Sequence, residues 1–498
     1  MTTTIAKSQI PKTLPNIQKF FGQDLDDIGA IFYSNYNQNS FSKQKDVYRN
    51  NNIDYKVHYF HNQTVLINTI LKKYKPLPIS LKQLTKYDDM SSNISDKQFK
   101  EKMLIESANF IRQQLIIRIG LKIKEFQSLP FKISSNKHLF KVYKSYYSIF
   151  ENFRKFPRLK TIEDNEKFLE NTQKILSDLN LVNLFNLIMG GLEISSLKYM
   201  PKKVVDNWIN ELLRARISRR LMIEEHISLS QRLTNTKNIV EKPKDLNIAV
   251  LGDIFQLCDL KQNIDDIAKN LNELMANEYA NKGKKLPNVI IDGEKDLKLY
   301  FLPIHLRFML NEILRNSFEA TLENDNIEDS SDITITVIKN EKSVILRISD
   351  HGGGLPLNTD KNTITSFGKP EDVAMNCLKA LNVLTRSTVD EIVGNTSLET
   401  LQYDTNLTSK INEKLNIQLK IKPETDSDKD SNFEKPLLKM LDRERRFKLG
   451  IGLALSKVYA EYWNGSLELH SLDGYGTDVV LTLGDLVYYG NKLCLDRV

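Results

Sequence analysis

Residues 305–322 read HLRFMLNEILRNSFEATL. Leu306, Met309, Leu310, Ile313 and Leu314 recur at helical spacing and predict an amphipathic helix. On that helix Glu312 and Asn316 are four residues apart, so both side chains leave on the same side. A carboxylate and a carboxamide held that way can serve a nucleotide. The amide oxygen can ligate Mg2+, and the carboxylate can take a proton from an attacking hydroxyl. Taken alone, the pair also describes any solvated helix face, so its meaning depends on the segments that follow.

The 498 residues allow two to four domains at the usual roughly 150 residues each. A 41% apolar content supports real cores, and the net charge of +7 is spread along the chain. That balance fits solubility and an acidic or phosphate-bearing ligand, and no nucleic-acid partner is expected. Cys258, Cys377 and Cys494 lie far apart, with neither metal-ligand spacing nor a disulfide framework, as in a reducing compartment. No apolar run approaches the ~18 residues a bilayer span needs. Residues 1–23 carry Lys7, Lys12 and Lys19 with several Ser and Thr, and the first acid is Asp24. This composition fits a mitochondrial presequence or a polar tail equally; the first arginine is only at Arg49.

Residues 1–75 are polar and rich in Asn and Lys, and 79–87 reads as a short helix. Helical spacing then runs over 99–130, 138–157, 162–195 and 201–233, with Pro130 and Pro157 as stops and Pro201 as a start. Four long helices with short connections predict a bundle. Residues 234–250 read as a link. Beyond it, strands at LPNVIIDG and DLKLYFLP precede the 305–322 helix, and alternating runs predict hairpins at 332–350 and 465–484. This half reads as α+β with helices on one face of a sheet. Between about 357 and 446 a polar insertion is expected, with PETDSDKDSNFEKP (423–436) its most acidic part.

Three motifs follow the helix. SDHGGGLP (349–356) ends a strand at Asp350, whose carboxylate can accept a hydrogen bond from an adenine amine, while Gly352, Gly353 and Gly354 let backbone approach a ligand. KLGIGLALSKVYAEYWNG (448–465) sets Gly450 and Gly452 before a helix, where free N–H groups suit phosphates. GYGTD (474–478) offers the Thr477 hydroxyl before the last strand. Each also has an ordinary reading as a turn or a helix start.

Their order is more specific than any one of them. A helix with E-x-x-x-N, a strand with D-x-G-G-G, a glycine loop into a helix and G-x-G-T before a strand resemble the GHKL ATP-binding fold of gyrase, Hsp90, MutL, histidine kinases and the mitochondrial protein kinases. NWINELLRARISRRLMIEEH (207–226) carries Arg216, Ile217, Arg220 and His226 in the places of a helix characteristic of the last group. Over about 76–485 the chain is similar to the pyruvate dehydrogenase kinase and branched-chain α-ketoacid dehydrogenase kinase family, and most like the former.

The resemblance implies an α then α+β chain: an N-terminal four-helix bundle followed by a GHKL (Bergerat-type) ATP-binding α/β sandwich. Residues 1–75 would be presequence and polar region, 76–235 the bundle, which would regulate and bind the E2 lipoyl domain, and 245–490 the kinase domain with the insert at about 357–446. It implies a protein-serine kinase of the mitochondrial matrix that phosphorylates and inactivates the E1α subunit of the pyruvate dehydrogenase complex, using ATP and Mg2+. A homodimer, or a heterodimer with a related kinase, is also implied. Glu312 would be the base, Asn316 the Mg2+ ligand, and Asp350 the adenine contact with Gly352 and Gly354 beside it. Gly450, Ile451, Gly452 and Leu453 would form the phosphate loop, with Thr477 lining the adenine pocket. Arg315 would stand beside the phosphates or the base, and Lys448 would replace the first glycine of the loop as a cation able to meet phosphate. The alternatives are the branched-chain kinase, a GHKL ATPase driven by ATP-dependent closure, and a non-catalytic ATP-binding regulatory subunit.

The chain departs from the pattern in several places. His351 follows the adenine Asp where the family has Arg. TSFGKPEDV (365–373) is the nearest match to the ATP lid, and little chain follows the last strand, which leaves dimer geometry and lipoyl capture open. No His occurs between His138 and His226, which favours direct transfer from ATP to serine over a phosphohistidine relay.

Overall fold

The computed structural model describes residues 52–84, 97–234, 254–279, 285–294, 296–324, 332–357, 359–393, 437, 440–441, 443, 448–490 and 493. The presequence reading of 1–23, the link at 234–250 beyond Thr234 and the acidic stretch 423–436 lie outside them.

The first half is helical: α1 (Asn52–Lys73), α2 (Leu81–Leu84), α3 (Lys97–Ser128), α4 (Phe131–Ser134), α5 (Lys137–Lys155), α6 (Ile162–Ser196) and α7 (Lys202–Thr234). The four long helices fall within two residues of the bounds expected from apolar spacing, and local chemistry fixes their starts. The Asn136 side chain accepts from the N–H groups of His138 and Leu139 to open α5. Thr161 and Asp164 close a reciprocal capping box at the start of α6. Ile111, Leu115, Val142, Phe150, Phe168, Leu184, Leu192, Ile209 and Leu212 fill the space between the helices.

One expectation changes here. Residues 52–73 are helical, although 1–75 reads as polar. Ile67 and Ile70 are buried, and the helix packs on α3. Average composition hides such a stripe because the Asn and Lys residues occupy its other faces.

The second half runs β1 (Gln256–Asp259), α8 (Leu260–Tyr279), β2 (Val289–Gly293), β3 (Lys298–Phe301), α9 (Pro303–Glu323), β4 (Ile333–Lys339), β5 (Ser343–Asp350), α10 (Lys361–Ile364), α11 (Glu371–Val393), α12 (Gly452–Tyr462), β6 (Ser466–Leu472), β7 (Gly476–Gly484) and α13 (Leu486–Tyr489). Strands β1 and β3 form a small antiparallel pair. The main sheet has the order β2-β4-β5-β7-β6, parallel between β2 and β4 and antiparallel elsewhere. Both expected hairpins are present, β4–β5 and β6–β7. Helices α8, α9 and α12 pack over the sheet, and α9 is buried on nearly every side.

The alternation of the sheet delivers the site. Leu346, Leu481 and Leu467 form one inward row across β5, β7 and β6, and Ile348, Val479 and Leu469 form the next. The third row keeps the same phase but is polar: Asp350, Thr477 and Ser471. Period-two geometry therefore aims the Asp350 carboxylate under α9.

A second expectation also changes. The interval 357–446 contains α11, a helix of 23 residues that packs on α6 of the bundle. Ala374, Cys377, Leu378, Leu381 and Leu384 supply its buried stripe. The segment leading into it is pinned to the bundle: the Phe367 N–H donates to Asp206 at 2.7 Å and the Ser195 hydroxyl to the Lys369 carbonyl at 2.8 Å. Burial pulls the Lys369 ammonium down to about 8, and its Nζ donates to the carbonyls of Thr363 and Ile364. An ion pair between Arg214 of α7 and Glu461 of α12 ties the two halves together again.

Candidate active site

Asp350 ends β5 and is 5% exposed. Its Oδ1 accepts from the N–H of Gly352 at 3.0 Å and from the N–H of Thr477 at 3.2 Å, and the Ser317 hydroxyl of α9 also bonds the carboxylate. Burial raises its pKa, and those three donors partly counter the rise. A carboxylate has about four acceptor positions, so three donors leave one for an adenine amine. Thr477 is held by the same pairing, and its hydroxyl lies 2.9 Å from that of Ser471. Gly352 packs on Ala320 of α9. Gly354 has φ +72°, and a β-carbon there would stand 2.0 Å from the Leu472 carbonyl oxygen; only glycine fits a backbone threaded this closely. His351 lies against Tyr475, with Nε2 3.3 Å from the phenol oxygen.

The phosphate-loop candidates meet α9 near its middle, at Glu312. Ile451 and Leu453 are buried and anchor the loop, while Gly450 passes over the Cys377 thiol of α11. Helix α12 starts at Gly452 with no side-chain cap. Its first N–H groups are therefore the kind of unsatisfied donors that receive phosphate oxygens.

Glu312 and Asn316 share one side of α9 as expected, but their environments differ. Asn316 is exposed, whereas Glu312 is 3% exposed. The Glu312 carboxylate lies directly on Gly452, where a β-carbon would sit 1.8 Å from Oε2. Both its oxygens accept from Arg443, Oε1 from Nη1 at 2.5 Å and Oε2 from Nη2 at 2.9 Å. Arg315 is buried beside this pair. It donates to the Arg443 carbonyl at 3.2 Å and to Glu319 at 3.3 Å. Burial, reinforced by the neighbouring Arg443 charge, lowers its pKa. Lys448 is half exposed and bridges Glu323 at 2.6 Å and Glu319 at 3.5 Å. Burial lowers its pKa, but these two acids outweigh that and hold it above the usual lysine value.

The structure thus gathers Glu312, Arg315, Asn316, Gly450, Ile451, Gly452 and Leu453 around the middle of α9. Asp350, Gly352, Gly354 and Thr477 lie along the strand ends beneath it. Lys448 reaches the same helix but is committed to carboxylates. Sequence reasoning missed Arg443, Ser317, Glu319 and Glu323. Ser317 could have been suspected from its place after Asn316, but Arg443 sits in the charge run DRERRFK (442–448), which has no distinguishing spacing.

A mixed sheet with a buried carboxylate at a strand end, a glycine loop opening an uncapped helix and an E-x-x-x-N helix above them define a GHKL-type ATP-binding protein. Residues 302–486 match the family model described as "Histidine kinase-, DNA gyrase B-, and HSP90-like ATPase". Residues 78–252 match the one described as "Mitochondrial branched-chain alpha-ketoacid dehydrogenase kinase". The chain is 41% identical over 457 residues to a Saccharomyces cerevisiae protein named pyruvate dehydrogenase (acetyl-transferring) kinase 2, mitochondrial, covering 89% of this chain and 88% of the relative. It is 23% identical over 431 residues to human pyruvate dehydrogenase (acetyl-transferring) kinase isozyme 4, mitochondrial, covering 82% of each. It is 22% identical over 389 residues to the Arabidopsis thaliana pyruvate dehydrogenase (acetyl-transferring) kinase, mitochondrial, covering 78% of this chain and 86% of the relative. The chain belongs to the family of mitochondrial pyruvate dehydrogenase and branched-chain α-ketoacid dehydrogenase kinases, and is a protein kinase that binds ATP.

Proposed function

We propose that this chain is a protein-serine kinase of the mitochondrial matrix that phosphorylates E1α of the pyruvate dehydrogenase complex and so inactivates it, by direct transfer from ATP with Mg2+. The observation that carries the reading is the closure of Glu312 onto Gly452. It sets a carboxylate beside the N–H groups that suit phosphates. The names of the relatives support the pyruvate dehydrogenase complex as target.

The residues divide the work. Asp350 orients the adenine, with Gly354 and Thr477 shaping the wall. The N–H groups of Gly452 and Leu453 receive phosphate oxygens. Glu312 accepts the proton of the attacking serine hydroxyl as its oxygen bonds the γ-phosphorus and the bond from that phosphorus to the β-phosphate oxygen breaks, releasing ADP. Arg315 positions the middle of α9 through Glu319 and the Arg443 carbonyl. Among the described residues no group of three or more His, Cys, Asp and Glu could hold a metal. The exposed Asn316 amide fits a Mg2+ whose other ligands are phosphate oxygens and water. When bound, Mg2+ would neutralise charge on the transferring phosphate. The buried His138 and His226 are engaged in packing bonds to Asn186, Ser107 and Asn165, which supports transfer without a phosphohistidine.

We further assign 76–235 as the bundle that docks the E2 lipoyl domain, 245–490 as the kinase domain, and a homodimer or related heterodimer as the working assembly. No helix among the described residues is long and apolar enough to cross a membrane. The family model matched by residues 78–252 favours a second reading, the branched-chain complex as target. One assay tests both: purified chain, Mg·ATP and each intact complex, reading phosphate on E1α. Labelling of pyruvate dehydrogenase E1α is expected. Labelling of the branched-chain E1α alone transfers the assignment, and labelling of neither with ATP still bound overturns the kinase reading for both. Glu312→Gln is expected to abolish transfer while ATP binding persists. Asn316→Ala is expected to lose Mg2+-dependent nucleotide binding.

A further inference from the structure

We propose that Arg443 is a nucleotide-sensing residue. It holds the Glu312 carboxylate while no triphosphate is bound, and moves its guanidinium to the terminal phosphate when ATP arrives, which frees the base. The inference deepens the assignment of Glu312 as base and rests on it.

Three observations carry it. First, the base is occupied. Both Glu312 oxygens accept from Arg443, and both side chains are nearly fully buried, at 3% and 5% exposed. Arg443 takes one position on each oxygen, Gly452 backs Oε2, and burial to 3% exposure leaves a serine hydroxyl no open approach to the positions that remain. Catalysis by Glu312 therefore requires Arg443 to leave. Second, a destination is adjacent. The same Oε2 that accepts from Nη2 touches Gly452, the start of the uncapped helix α12. A phosphate seated on those N–H groups would be separated from the guanidinium only by the carboxylate. Third, Arg443 is tied to α9 at its backbone, where its carbonyl accepts from Arg315, and its guanidinium also donates to the Met440 carbonyl at 2.5 Å, so the exchange trades the guanidinium's bonds for those of a phosphate while its α-carbon stays beside the site.

Charge sets the direction. Removing an arginine from a buried carboxylate is unfavourable unless another anion receives it. A terminal phosphate carries more charge than a carboxylate and matches the planar guanidinium fork equally well. ADP lacks that group and leaves the pair in place. Once Glu312 has taken the serine proton it is neutral and needs no ion partner, so the exchanged state suits the transition state as well.

The test uses the full chain and binding alone: Kd for Mg·ATP and Mg·ADP by calorimetry, in wild type, Arg443→Gln, Arg443→Lys, Glu312→Gln and the double variant Glu312→Gln/Arg443→Gln. Arg443→Gln is expected to cut the preference for ATP over ADP at least about tenfold by weakening ATP alone. Arg443→Lys, which keeps the charge without the fork, should restore part of it. Glu312→Gln is expected to bind ATP several-fold more tightly than wild type, because the guanidinium no longer has to be taken from an ionised partner. In the double variant that gain should vanish. The double variant also buries no unpaired charge, so its melting temperature shows whether loss of Arg443 is compatible with folding. An unchanged ATP/ADP ratio in Arg443→Gln, equal weakening of both nucleotides, or no tightening in Glu312→Gln overturns the proposal. Phosphate transfer is not read, so a Glu312→Gln protein that still labelled E1α would remove the base assignment without touching this result.

Discussion

The Glu312 carboxylate rests on the backbone of Gly452, with Oε2 occupying space that any β-carbon at 452 would need. Gly452→Ala should therefore push Glu312 off its position while leaving the Asp350 cluster, proposed to hold adenine, in place. A displacement of about 1 Å can cost ~100-fold in rate. We expect kcat on E1α to fall by at least about that factor, with ADP affinity changed far less. Single-turnover kinetics beside ADP titration checks it, and wild-type kcat in the variant would contradict the contact's role.

Asp350 gathers donors from three places, Gly352 in the loop after β5, Thr477 of β7 and Ser317 of α9. Asp350→Asn keeps an oxygen for the two backbone N–H groups but puts an NH2 group where the acceptor proposed for adenine stands. ATP affinity is expected to drop by about 10- to 100-fold, the range of one to two charge-assisted hydrogen bonds. Discrimination between ATP and GTP should narrow with it. Titration of both nucleotides against both proteins measures the effect.

Gly354 and Gly474 both have positive φ, +72° and +76°, but a β-carbon at 354 meets the Leu472 carbonyl oxygen at 2.0 Å and one at 474 meets nothing within 4 Å. Gly354→Ala should cost about 3 kcal/mol or more, from strain plus the shift of a strand end. Gly474→Ala should cost only about 1 kcal/mol, from backbone strain alone. Denaturant midpoints for the two variants give the comparison, and equal losses would remove the packing argument.

His226 is buried in the bundle, with Nδ1 3.1 Å from the Ser107 hydroxyl and Nε2 2.9 Å from the Asn165 side-chain oxygen. Those partners suit the neutral ring, and burial holds its pKa down to about 3, against 6.5 when unfolded. Below pH 6.5 the unfolded chain takes up a proton that the folded chain refuses, so stability falls as the solution is acidified. The loss should reach about 2 kcal/mol by pH 5. His226→Gln, which has no such proton, should show a flatter decline between pH 7 and 5 in thermal unfolding, whatever its stability at pH 7.

The bundle was legible in the sequence because its helices are long, periodic and stopped by prolines at 130 and 157, which leaves no competing pattern. The hairpins β4–β5 and β6–β7 were legible because alternation over seven to nine residues has one sensible pairing. Glu312, Asn316, Asp350 and the 450–453 loop could be listed from the sequence, though not their contacts. The Arg443 partnership spans 131 residues, and no local regularity encodes a pairing at that range. Helices α1 and α11 were missed for a different reason. Each buries a narrow stripe within otherwise polar sequence, so composition pointed away from structure that tertiary packing supplies. The parallel β2–β4 pairing was likewise invisible, since alternation along a strand says nothing of its neighbour's direction.

Helix α11 lies against α6 of the bundle on one side and brings Cys377 beneath Gly450 on the other. A cut through the chain near residue 245 therefore does not separate two modules that can be borrowed independently. An excised nucleotide-binding half would keep every residue named for chemistry and lose the surface against which the floor of its phosphate loop is built. Its inheritance is constrained accordingly: recombination that exchanged the helical half of one such protein for that of a distant relative would have to carry 365–393 along with it.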